Sequence, residues 1–393
     1  MTAPAVFAPA SLGPVRLRNR IIKAATFEGV MPRGAVSSEL IDFHTAVARG
    51  GAAMTTVAYC AVSDGGRVNR HTLVMSEGLI ADLQRLTAAV HAEGAAVAAQ
   101  LGHAGLVADT RSNRRPTLAP STRLSAPAMA LVRGASPEQL DVVVAEFVAA
   151  AEVAVAAGFD ALELHLGHNY LLSSFLSPNL NRRHDEYGGS IVNRSRFPRR
   201  VVAAVRAAVG GQVAVTAKFN MADGVRKGLQ PDEAVQFAAL LEADGHLDAL
   251  QLTGGSSLLN GMYFFRGEVP MAEFIATQPP VVGLGLRLFG RRIFPTYPFE
   301  EAFFLPLARR FREALSMPLI LLGGINRLDT IEGALAEGFD FVAMARALLR
   351  DPDLVNSMQR RQAVEGRCDH RNKCLPTIYS GTRCVLRDPQ QVG

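Results

Sequence analysis

The sequence predicts an α/β protein that folds as a (β/α)8 TIM barrel. Short apolar runs alternate with amphipathic helical stretches almost to the end of the chain, and eight such runs are present. A polar or glycine-rich element that could take part in chemistry follows each run. Eight strand–helix repeats are the number that closes a parallel barrel, with a doubly wound open sheet as the alternative. The pattern also leaves a long insertion after strand 6 and a short cysteine-containing C-terminal tail.

The eight candidate strands are short and apolar, and turn-forming residues separate them from the helical segments. In chain order the strands are residues 20–25, 53–59, 95–100, 161–165, 213–219, 249–253, 319–323 and 341–345. The helical segments are residues 78–93, 137–157, 193–209, 231–243, 300–316 and 328–337. Ser136 before Pro137, and the acidic residues that follow Pro231, are typical helix starts.

Chemistry in this fold takes place at the C-terminal ends of the strands, where the connecting loops meet. The residues found there can donate protons, carry charge or form tight turns. In strand order they are Thr26, Phe27 and Glu28; Tyr59 and Cys60; Gln100 and His103; His165, His168 and Tyr170; Lys218; Gly254 and Gly255; Gly323 and Gly324; and Ala345 and Arg346. Candidates after every strand indicate one shared site rather than a random scatter.

Residues 165–197 are the most informative part of the sequence. They begin with His165, His168 and Tyr170, just past a buried strand, and continue with a long polar stretch. Imidazoles and a phenol can hold a carbonyl oxygen by hydrogen bonds and deliver a proton. The alternatives are histidines that cap backbone groups and a tyrosine that packs in the core.

The composition of the 393-residue chain excludes several classes of protein. The hydrophobic fraction of 49% is ample for a large core, and the net charge of +5 is mild. Because the arginines are dispersed and not interleaved with aromatic residues, we expect no nucleic-acid partner and at most a local basic pocket for a phosphate. No apolar stretch of membrane-spanning length and no secretory signal is seen. With four cysteines and no disulfide framework, we expect a cytoplasmic protein, without a membrane partner, that acts on a small-molecule substrate.

Two segments fall outside the strand–helix rhythm. Residues 258–298 form an insertion rich in aromatic residues and prolines, which predicts either a lid or binding loop, or an apolar arm at the interface of a homo-oligomer. Residues 366–393 form the C-terminal tail, with Cys368, Cys374 and Cys384. The predicted organisation is a barrel over residues 1–365, with the insertion inside it, followed by the tail.

Several of these motifs together resemble the old yellow enzyme family of FMN-dependent ene-reductases. The likeness is greatest to the bacterial branch called NADH:flavin oxidoreductases or 2,4-dienoyl-CoA reductase-like proteins, in its single-domain form. It runs from Leu17 to Cys384, nearly the whole chain. The segments that carry it are residues 100–105, 165–197, 322–325 and 344–352.

The resemblance implies that FMN is the cofactor and that NADPH or NADH supplies the hydride. Gln100 is similar to the amide that hydrogen-bonds the pyrimidine edge of the flavin. Lys218 stands where the family has a cation near the N1–C2 carbonyl, which stabilises negative charge on the reduced flavin. The other residues expected along the flavin ring are Ala24, Ala25, Thr26, Phe27, Tyr59 and His165.

The phosphate of the cofactor would bind after strands 7 and 8, as is common in barrels. The resemblance assigns it to backbone N–H groups around Gly323, Gly324, Ala345 and Arg346, with the guanidinium of Arg346 adding a charge contact. Taken without the resemblance, the two glycines could equally form an ordinary tight turn, and Arg346 a surface ion pair.

The resemblance also implies a reaction, the reduction of activated C=C bonds in α,β-unsaturated carbonyl compounds with hydride from NAD(P)H passed on through flavin N5. His165 and His168 are similar to the pair that grips the carbonyl oxygen, and Tyr170 to the phenol that protonates the α-carbon. The alternatives are a flavin desaturase or amine dehydrogenase on the same fold, and a non-catalytic FMN-binding protein.

Four positions depart from the pattern of the family, and the smallest change is Ala345, which replaces the common Gly before Arg346. Phe27 stands where many relatives have a Thr or Cys that hydrogen-bonds the flavin, and Glu28 where several have a substrate contact. Arg371 replaces one of the four cysteines that hold an iron–sulfur cluster in longer relatives. We therefore expect no bound metal and structural cysteines, with a zinc or iron–sulfur site as the alternative.

Overall fold

Eight parallel strands form a closed barrel, which confirms the predicted fold class. The computed structural model describes residues 5–125, 128, 130–276, 280–378 and 380–386. The barrel strands are β1 Ile21–Lys23, β2 Met54–Ala61, β3 Ala96–Gly102, β4 Ala161–Leu166, β5 Ala214–Asn220, β6 Ala249–Thr253, β7 Leu319–Leu322 and β8 Phe341–Met344. Each strand pairs with the next, and β1 pairs with both β2 and β8, which closes the ring.

Five short strands lie outside the ring. Ala10–Leu12 and Val15–Leu17 form an antiparallel hairpin, and Arg123–Ser125 pairs in the same way with Ala130–Val132. Leu73–Val74 extends the edge beside β2.

Eight helices surround the strands. They are α1 Ser38–Arg49, α2 Ile80–Ala92, α3 Pro137–Ala156, α4 Ile191–Val209, α5 Pro231–Asp244, α6 Leu305–Ala314, α7 Leu328–Ala336 and α8 Leu354–Gln359. The sequence pattern predicts α2 to α7 but not α1 or α8. The prediction of residues 300–316 for α6 is too long, because residues 301–304 form turns and Leu315 is extended. Ser136 caps α3 in a reciprocal capping box, as its sequence indicates.

Short helical segments occur in the connections that follow the strands and in the tail. The α-helical ones are Thr110–Asn113, Leu171–Leu176, Met262–Phe265, Met271–Ala276, Pro280–Ile293 and Arg346–Arg350. The 3₁₀ segments are Pro32–Gly34, Asp64–Gly66, Glu77–Leu79, Gly105–Val107 and Leu375–Thr377. Within the described ranges no helix combines the length and the apolar character needed to cross a bilayer.

Two apolar layers fix the position of the site. The larger one lies between the strands and the helices, whereas the smaller one fills the interior of the barrel. Alanines supply much of the interior layer, and Ile22, Ile320 and Phe341 fill the remaining space. Ala98, Ala161 and Ala214 are partners in register across β3, β4 and β5. Polar side chains begin two residues further along these strands, so the apolar layer is the floor beneath the polar C-terminal end.

The insertion and the tail pack against each other at that end. The insertion contains three of the short helices, although residues 277–279 and the side chains of residues 280–282, 289 and 291–293 lie outside the described part of the chain. Asn372 of the tail donates hydrogen bonds to the carbonyl oxygens of Arg266 and Glu268, at 2.7 and 2.9 Å. The hydroxyl of Thr382 donates to the carbonyl oxygen of Phe27. The tail thereby joins the insertion to the loop after β1.

Candidate functional site

A cavity of about 480 Å³ opens at the C-terminal ends of the strands. Glu28, Cys60, His103, Gly254 and Gly255, which the sequence also places after strands, do not line it. All the cofactor-binding and catalytic residues that the resemblance assigns do line it: Ala24, Ala25, Thr26, Phe27, Tyr59, Gln100, His165, His168, Tyr170, Lys218, Gly323, Gly324, Ala345 and Arg346. They come from seven different strand ends, and the barrel brings them together because those ends converge on one rim.

Gln100 and Lys218 share one carboxylate on the floor of the cavity. Glu163 stands between them in the sheet, and its Oε1 accepts a hydrogen bond from Gln100 Nε2 at 2.6 Å. Lys218 Nζ lies 3.8 Å from the same oxygen and donates to the carbonyl oxygen of Ala25 at 3.4 Å. Burial lowers the pKa of Lys218, an effect that the charges of Glu163 and Glu28 oppose. An amide and an amine are therefore held side by side, facing the cavity.

His165 and His168 are held by different parts of the barrel. His165 is the penultimate residue of β4 and is in register with Lys218, whereas His168 and Asn169 turn the chain with positive φ angles of 57° and 58°. The backbone N–H of His168 donates to Asn220 Oδ1 at 3.0 Å, which stabilises that turn. The two imidazole centroids are 5.2 Å apart.

The ring of His168 is fixed by two further contacts. Its Nε2 lies 3.1 Å from Thr253 Oγ1, at the end of β6, and its plane stacks on Phe264 with a centroid distance of 4.5 Å. The hydroxyl of Thr253 can either donate to or accept from Nε2, so this contact holds the ring in place without fixing which nitrogen carries the proton.

Both imidazoles are neutral at neutral pH. Burial lowers the pKa of His168 to about 3, with the charge of Lys218 adding to the effect. Burial also lowers the pKa of His165 well below its ordinary value, helped by His168 and Lys218. A neutral imidazole has one N–H donor and one acceptor. His165 Nδ1 is buried and has no hydrogen-bond partner in the described part of the chain, as expected of a group that waits for a ligand or a water.

Tyr170 lies directly beside this pair. Its ring centroid is 4.5 Å from that of His165 and 5.4 Å from that of Tyr59. The hydroxyl of Tyr59 donates to the carbonyl oxygen of Gly66 at 3.0 Å. Tyr59 is therefore engaged with the barrel rim, and Tyr170 is the phenol grouped with the two imidazoles.

The opposite end of the cavity carries a tight glycine turn and a cation. Gly323 and Gly324 have φ angles of 114° and 73°. A Cβ at Gly323 would lie 2.5 Å from a ring carbon of Phe304, and a Cβ at Gly324 would lie 2.5 Å from a ring carbon of Phe303. Only glycine therefore fits this close approach. The turn therefore brings backbone groups to the cavity wall.

Arg346 stands beside this turn without a carboxylate partner among the residues that the structure describes. Its guanidinium donates to Asn372 Oδ1 and, at 3.4 Å, to the carbonyl oxygen of Arg266. The surface ion pair considered from the sequence is therefore not what the structure shows. A cation held by neutral acceptors at the wall of a cavity suits a phosphate.

The donor set fits FMN. An amide and an amine lie on the floor, a cation and a glycine turn lie at one end, and apolar rings cover the space between them. A volume of about 480 Å³ is in the usual range for cofactor sites. The chemistry of the donors therefore matches a flat polar-edged ring with a phosphorylated chain.

Glu28 does not contact the cavity, although several relatives have a substrate contact at its place. Its side chain is fully buried and does not line the cavity. Instead, Glu28 Oε2 accepts a hydrogen bond from the backbone N–H of Ala58 at 2.8 Å, and Oε1 lies 3.3 Å from Lys23 Nζ. Phe27 does line the cavity, and its phenyl ring supplies no hydroxyl or thiol there.

Sequence reasoning misses several residues that shape the cavity. Asn220 and Thr253 are the last residues of β5 and β6, so the rule applied to the other strand ends would identify them. In the sequence the tail is notable only for its cysteines, yet it forms part of the cavity wall. Its lining residues are His370, Cys374, Leu375, Pro376, Ile378 and Thr382. No local pattern signals this, because the contact joins segments far apart in the chain.

The insertion also supplies part of the wall, through Leu258, Phe264, Phe265, Phe274 and Phe294. If the insertion is a lid or binding loop, it has to lie at the cavity wall in this way. The side chain of Phe289, an aromatic residue of the same insertion, lies outside the described residues.

The cysteines of the tail are free thiols, and Cys368 Sγ lies 3.8 Å from His370 Nδ1. Burial raises the pKa of Cys374 to about 11. In the described part of the chain, no three His, Cys, Asp or Glu side chains are grouped so that they could hold a metal ion. The zinc and iron–sulfur alternatives thus gain no support from the geometry.

Comparison with known proteins gives one family. The model of the NADH:flavin oxidoreductase / NADH oxidase family matches residues 5–252. A 4,4′-dithiodibutanoate disulfide reductase of Rhodococcus erythropolis is 71% identical over 385 residues, which cover 98% of this chain and 96% of that protein. A metal reductase of Desulforamulus reducens is 34% identical over 97% of this chain. The match covers 51% of that protein, so this chain spans about half its length.

Among solved structures, the old yellow enzyme homologue of Zymomonas mobilis is similar with a TM-score of 0.73. The match covers 98% of both chains at 21% sequence identity. At that identity the likeness concerns the fold.

Proposed function

This chain belongs to the NADH:flavin oxidoreductase / NADH oxidase family, and we propose that it reduces the sulfur–sulfur bond of a small organic disulfide. It is an oxidoreductase with FMN as its cofactor and NADH or NADPH as its reductant. The observation that carries the choice of a disulfide is the 71% identity, over nearly the full length of both chains, to the reductase of 4,4′-dithiodibutanoate.

The overall reaction balances as NAD(P)H + H⁺ + R–S–S–R giving NAD(P)⁺ + 2 R–SH. FMN supplies the two-electron chemistry that links the nicotinamide to the acceptor, whereas the protein supplies binding, orientation and protons. Gln100 and Lys218 hold the polar edge of the cofactor ring in this proposal. Arg346 and the turn at Gly323 and Gly324 hold its phosphate.

The trio of His165, His168 and Tyr170 serves the acceptor. When a disulfide is cleaved, one sulfur leaves with a negative charge that needs stabilisation and a proton. Neutral imidazoles can donate N–H hydrogen bonds to that sulfur, and because they carry no positive charge they have none to give up. In this proposal Tyr170, whose ring centroid lies 4.5 Å from that of His165, delivers the proton.

Reduction of activated C=C bonds is the second candidate, and the same trio favours it. Two neutral imidazoles whose centroids are 5.2 Å apart can both donate to one carbonyl oxygen. Such polarisation makes the β-carbon of an α,β-unsaturated carbonyl compound electrophilic. Tyr170 would then protonate the α-carbon. The sequence resemblance leads to this substrate class, whereas the high-identity relative favours the disulfide.

The two candidates are separated by steady-state kinetics of the holoprotein without oxygen. NADH and NADPH oxidation would be measured with 4,4′-dithiodibutanoate and with cyclohexenone. We expect kcat/KM to be at least about 10-fold higher for the disulfide, a difference of about 1.4 kcal/mol. Two thiols should appear for each nucleotide oxidised. An enone preferred by the same margin would establish the alkene candidate instead, and a cofactor that NAD(P)H reduces but neither acceptor reoxidises would overturn both.

A further inference from the structure

Beneath the floor of the cavity lies an ion pair that none of the roles described so far uses. Lys23 at the end of β1 and Glu28 in the loop after it are both fully buried, with Nζ and Oε1 3.3 Å apart. Lys23 Nζ also donates to Thr26 Oγ1 at 2.8 Å and lies 4.7 Å from the centroid of the Phe43 ring. A lysine and a glutamate with no exposed surface are costly to bury, so their presence needs a reason.

A purely structural role accounts for only part of this arrangement. Glu28 Oε2 accepts from the backbone N–H of Ala58 at 2.8 Å and so supports the chain before Tyr59. A neutral glutamine could also accept that hydrogen bond, although less strongly than an ionised carboxylate. The charge of Glu28, and the cation that accompanies it, therefore need a separate explanation.

The pair is connected to the cavity by one hydroxyl. Thr26 lines the cavity, and its oxygen already accepts from Lys23, so its own O–H is available to a group in the cavity. The sequence of atoms from the cavity inward is Thr26 Oγ1, Lys23 Nζ and Glu28 Oε1. Lys23 Nζ can first transfer a proton to Glu28 Oε1, which leaves a neutral amine with a free lone pair. The amine can then turn that lone pair toward Thr26 and take up a proton through the hydroxyl, which is refilled from the cavity, so Lys23 regains its charge and Glu28 keeps one added proton.

The other titratable groups around Glu28 come from four elements. His44 on α1 has Nε2 3.8 Å from Glu28 Oε1, and burial holds its pKa well below the ordinary value, so it is neutral. Cys60 on β2 also feels the charge of Glu28, and burial raises the pKa of its thiol. Lys218 on β5 interacts with both Glu28 and Lys23, and Glu163 on β4 interacts with Lys23.

With both acids ionised, the two lysines and two glutamates sum to zero charge. When the four side chains sum to zero charge, they give little electrostatic stabilisation to a reduced flavin that carries a negative charge above this floor. One proton added to Glu28 changes the sum to +1 and places that charge beside the cofactor ring.

We propose that Glu28 is a proton-uptake site coupled to reduction of the cofactor, with Lys23 and Thr26 as the connection to the cavity. The carboxylate takes up one proton as FMN is reduced and releases it as FMN is reoxidised. The inference rests on the proposed function only in requiring bound FMN that can be reduced, and it is independent of which acceptor is used.

The pKa of Glu28 in the absence of a charge in the cavity is consistent with this role. Burial raises its pKa to about 7, although Lys23 and the Ala58 N–H oppose the shift. A negative charge in the cavity would raise that pKa further. Proton uptake is then expected at and above about pH 7, because at lower pH the acid is already protonated before reduction.

Infrared difference spectroscopy of the holoprotein tests the proposal directly. Reduction by dithionite requires neither NAD(P)H nor an organic acceptor, so a failure here is distinct from a failure of the proposed function. The wild-type protein should gain the C=O stretching band of a protonated carboxylic acid on reduction at pH 7.5. The gain should shrink toward pH 5.5, where the oxidised protein already shows the band.

The variant Glu28→Gln should lose this gain, whereas Glu146→Gln should keep it. Glu146 is a matched control, because burial raises its pKa as well but it bonds Ser63 at 2.8 Å outside the cavity. Absence of the band from the wild-type protein would overturn the proposal without any variant having to fold. A band that survives in a Glu28→Gln protein with full FMN content would assign the proton to another acid and overturn it equally.

Discussion

The guanidinium of Arg346, which lines the cavity beside the glycine turn, donates a hydrogen bond to the side chain of Asn372, a residue of the C-terminal tail. The same asparagine donates to two carbonyl oxygens of the insertion after β6, at 2.7 and 2.9 Å. One buried side chain thus orients a cation that lines the cavity and holds two segments that are far apart in sequence. Its loss should affect cofactor affinity before it affects the barrel.

Replacement of Asn372 by Ala is expected to raise the dissociation constant of FMN about 10-fold or more. A hydrogen bond to a charged group contributes about 1.5–3 kcal/mol, part of which Arg346 can recover from water. The measurement is the recovery of flavin fluorescence as FMN is released on dilution. Arg371→Ala is the matched control, since among the described residues the side chain of that exposed neighbour pairs only with Asp369, at 2.8 Å. Equal weakening in both variants would show that general disturbance of the tail is the cause.

Replacement of Tyr170 by Phe should slow reoxidation of the cofactor by the acceptor about 10²-fold or more, because general-acid catalysis typically contributes about 10²–10⁴. Reduction of the cofactor by NAD(P)H should change by less than about 3-fold. Stopped-flow absorbance of the two half-reactions separates the effects. If both half-reactions slow by the same factor, the phenol is not the proton donor.

Replacement of Thr253 by Val removes the hydrogen-bond partner of His168 Nε2 while it keeps the shape of the side chain. We expect kcat/KM for the acceptor to fall about 3- to 10-fold, the usual value of one buried hydrogen bond. Thr253→Ser retains the hydroxyl and should restore most of the activity. A serine variant as slow as the valine variant would point to lost packing of the methyl group instead.

Acid should destabilise the protein through its buried histidines, and His103 gives a clean test. Burial lowers its pKa to about 4, whereas an unfolded histidine titrates near 6.5. Between these values the unfolded chain binds more protons, so the free energy of unfolding falls as pH falls, by at most about 1.4 kcal/mol per pH unit for this group.

His103→Asn should reduce that slope, because Asn can still accept from the backbone N–H of Gly105, as His103 Nδ1 does at 3.2 Å. Urea unfolding at pH 6.5, 5.5 and 4.5 measures the difference. The control is the exposed His184→Asn, whose pH dependence should match that of the wild type. Parallel curves for all three proteins would assign the acid sensitivity to other groups.

The sequence alone predicts the barrel and its rim well, because both follow from local patterns. Strands such as Ala249–Thr253 end in residues whose position on the rim is determined by the direction of the strand. The depth of a side chain below the rim is harder to predict. Glu28 and Thr26 are two residues apart, yet one is sealed beneath the floor and the other lines the cavity. That difference depends on the path of the loop after β1, which the partners Lys23 and Ala58 determine.

The tail illustrates a second limit. Nothing in residues 366–386 shows that they wall the cavity, because the evidence lies in partners such as Arg266 and Phe27, more than a hundred residues away. The helix α1 escapes prediction for a simpler reason. Its stretch Ser38–Arg49 mixes polar and apolar residues, and the N-cap hydrogen bond from Leu40 N–H to Ser37 fixes a start that the apolar pattern does not mark.

The fit between the double glycine and the two phenylalanines has an evolutionary consequence. Each ring occupies the space that a side chain at Gly323 or Gly324 would need, since a Cβ there would come within 2.5 Å of the nearest ring carbon. The positive φ angles at Gly323 and Gly324 also strain any side chain placed there, so a smaller residue in place of the facing ring would not by itself permit a substitution. Among natural homologues both positions should therefore remain glycine even where residue 303 or 304 is smaller.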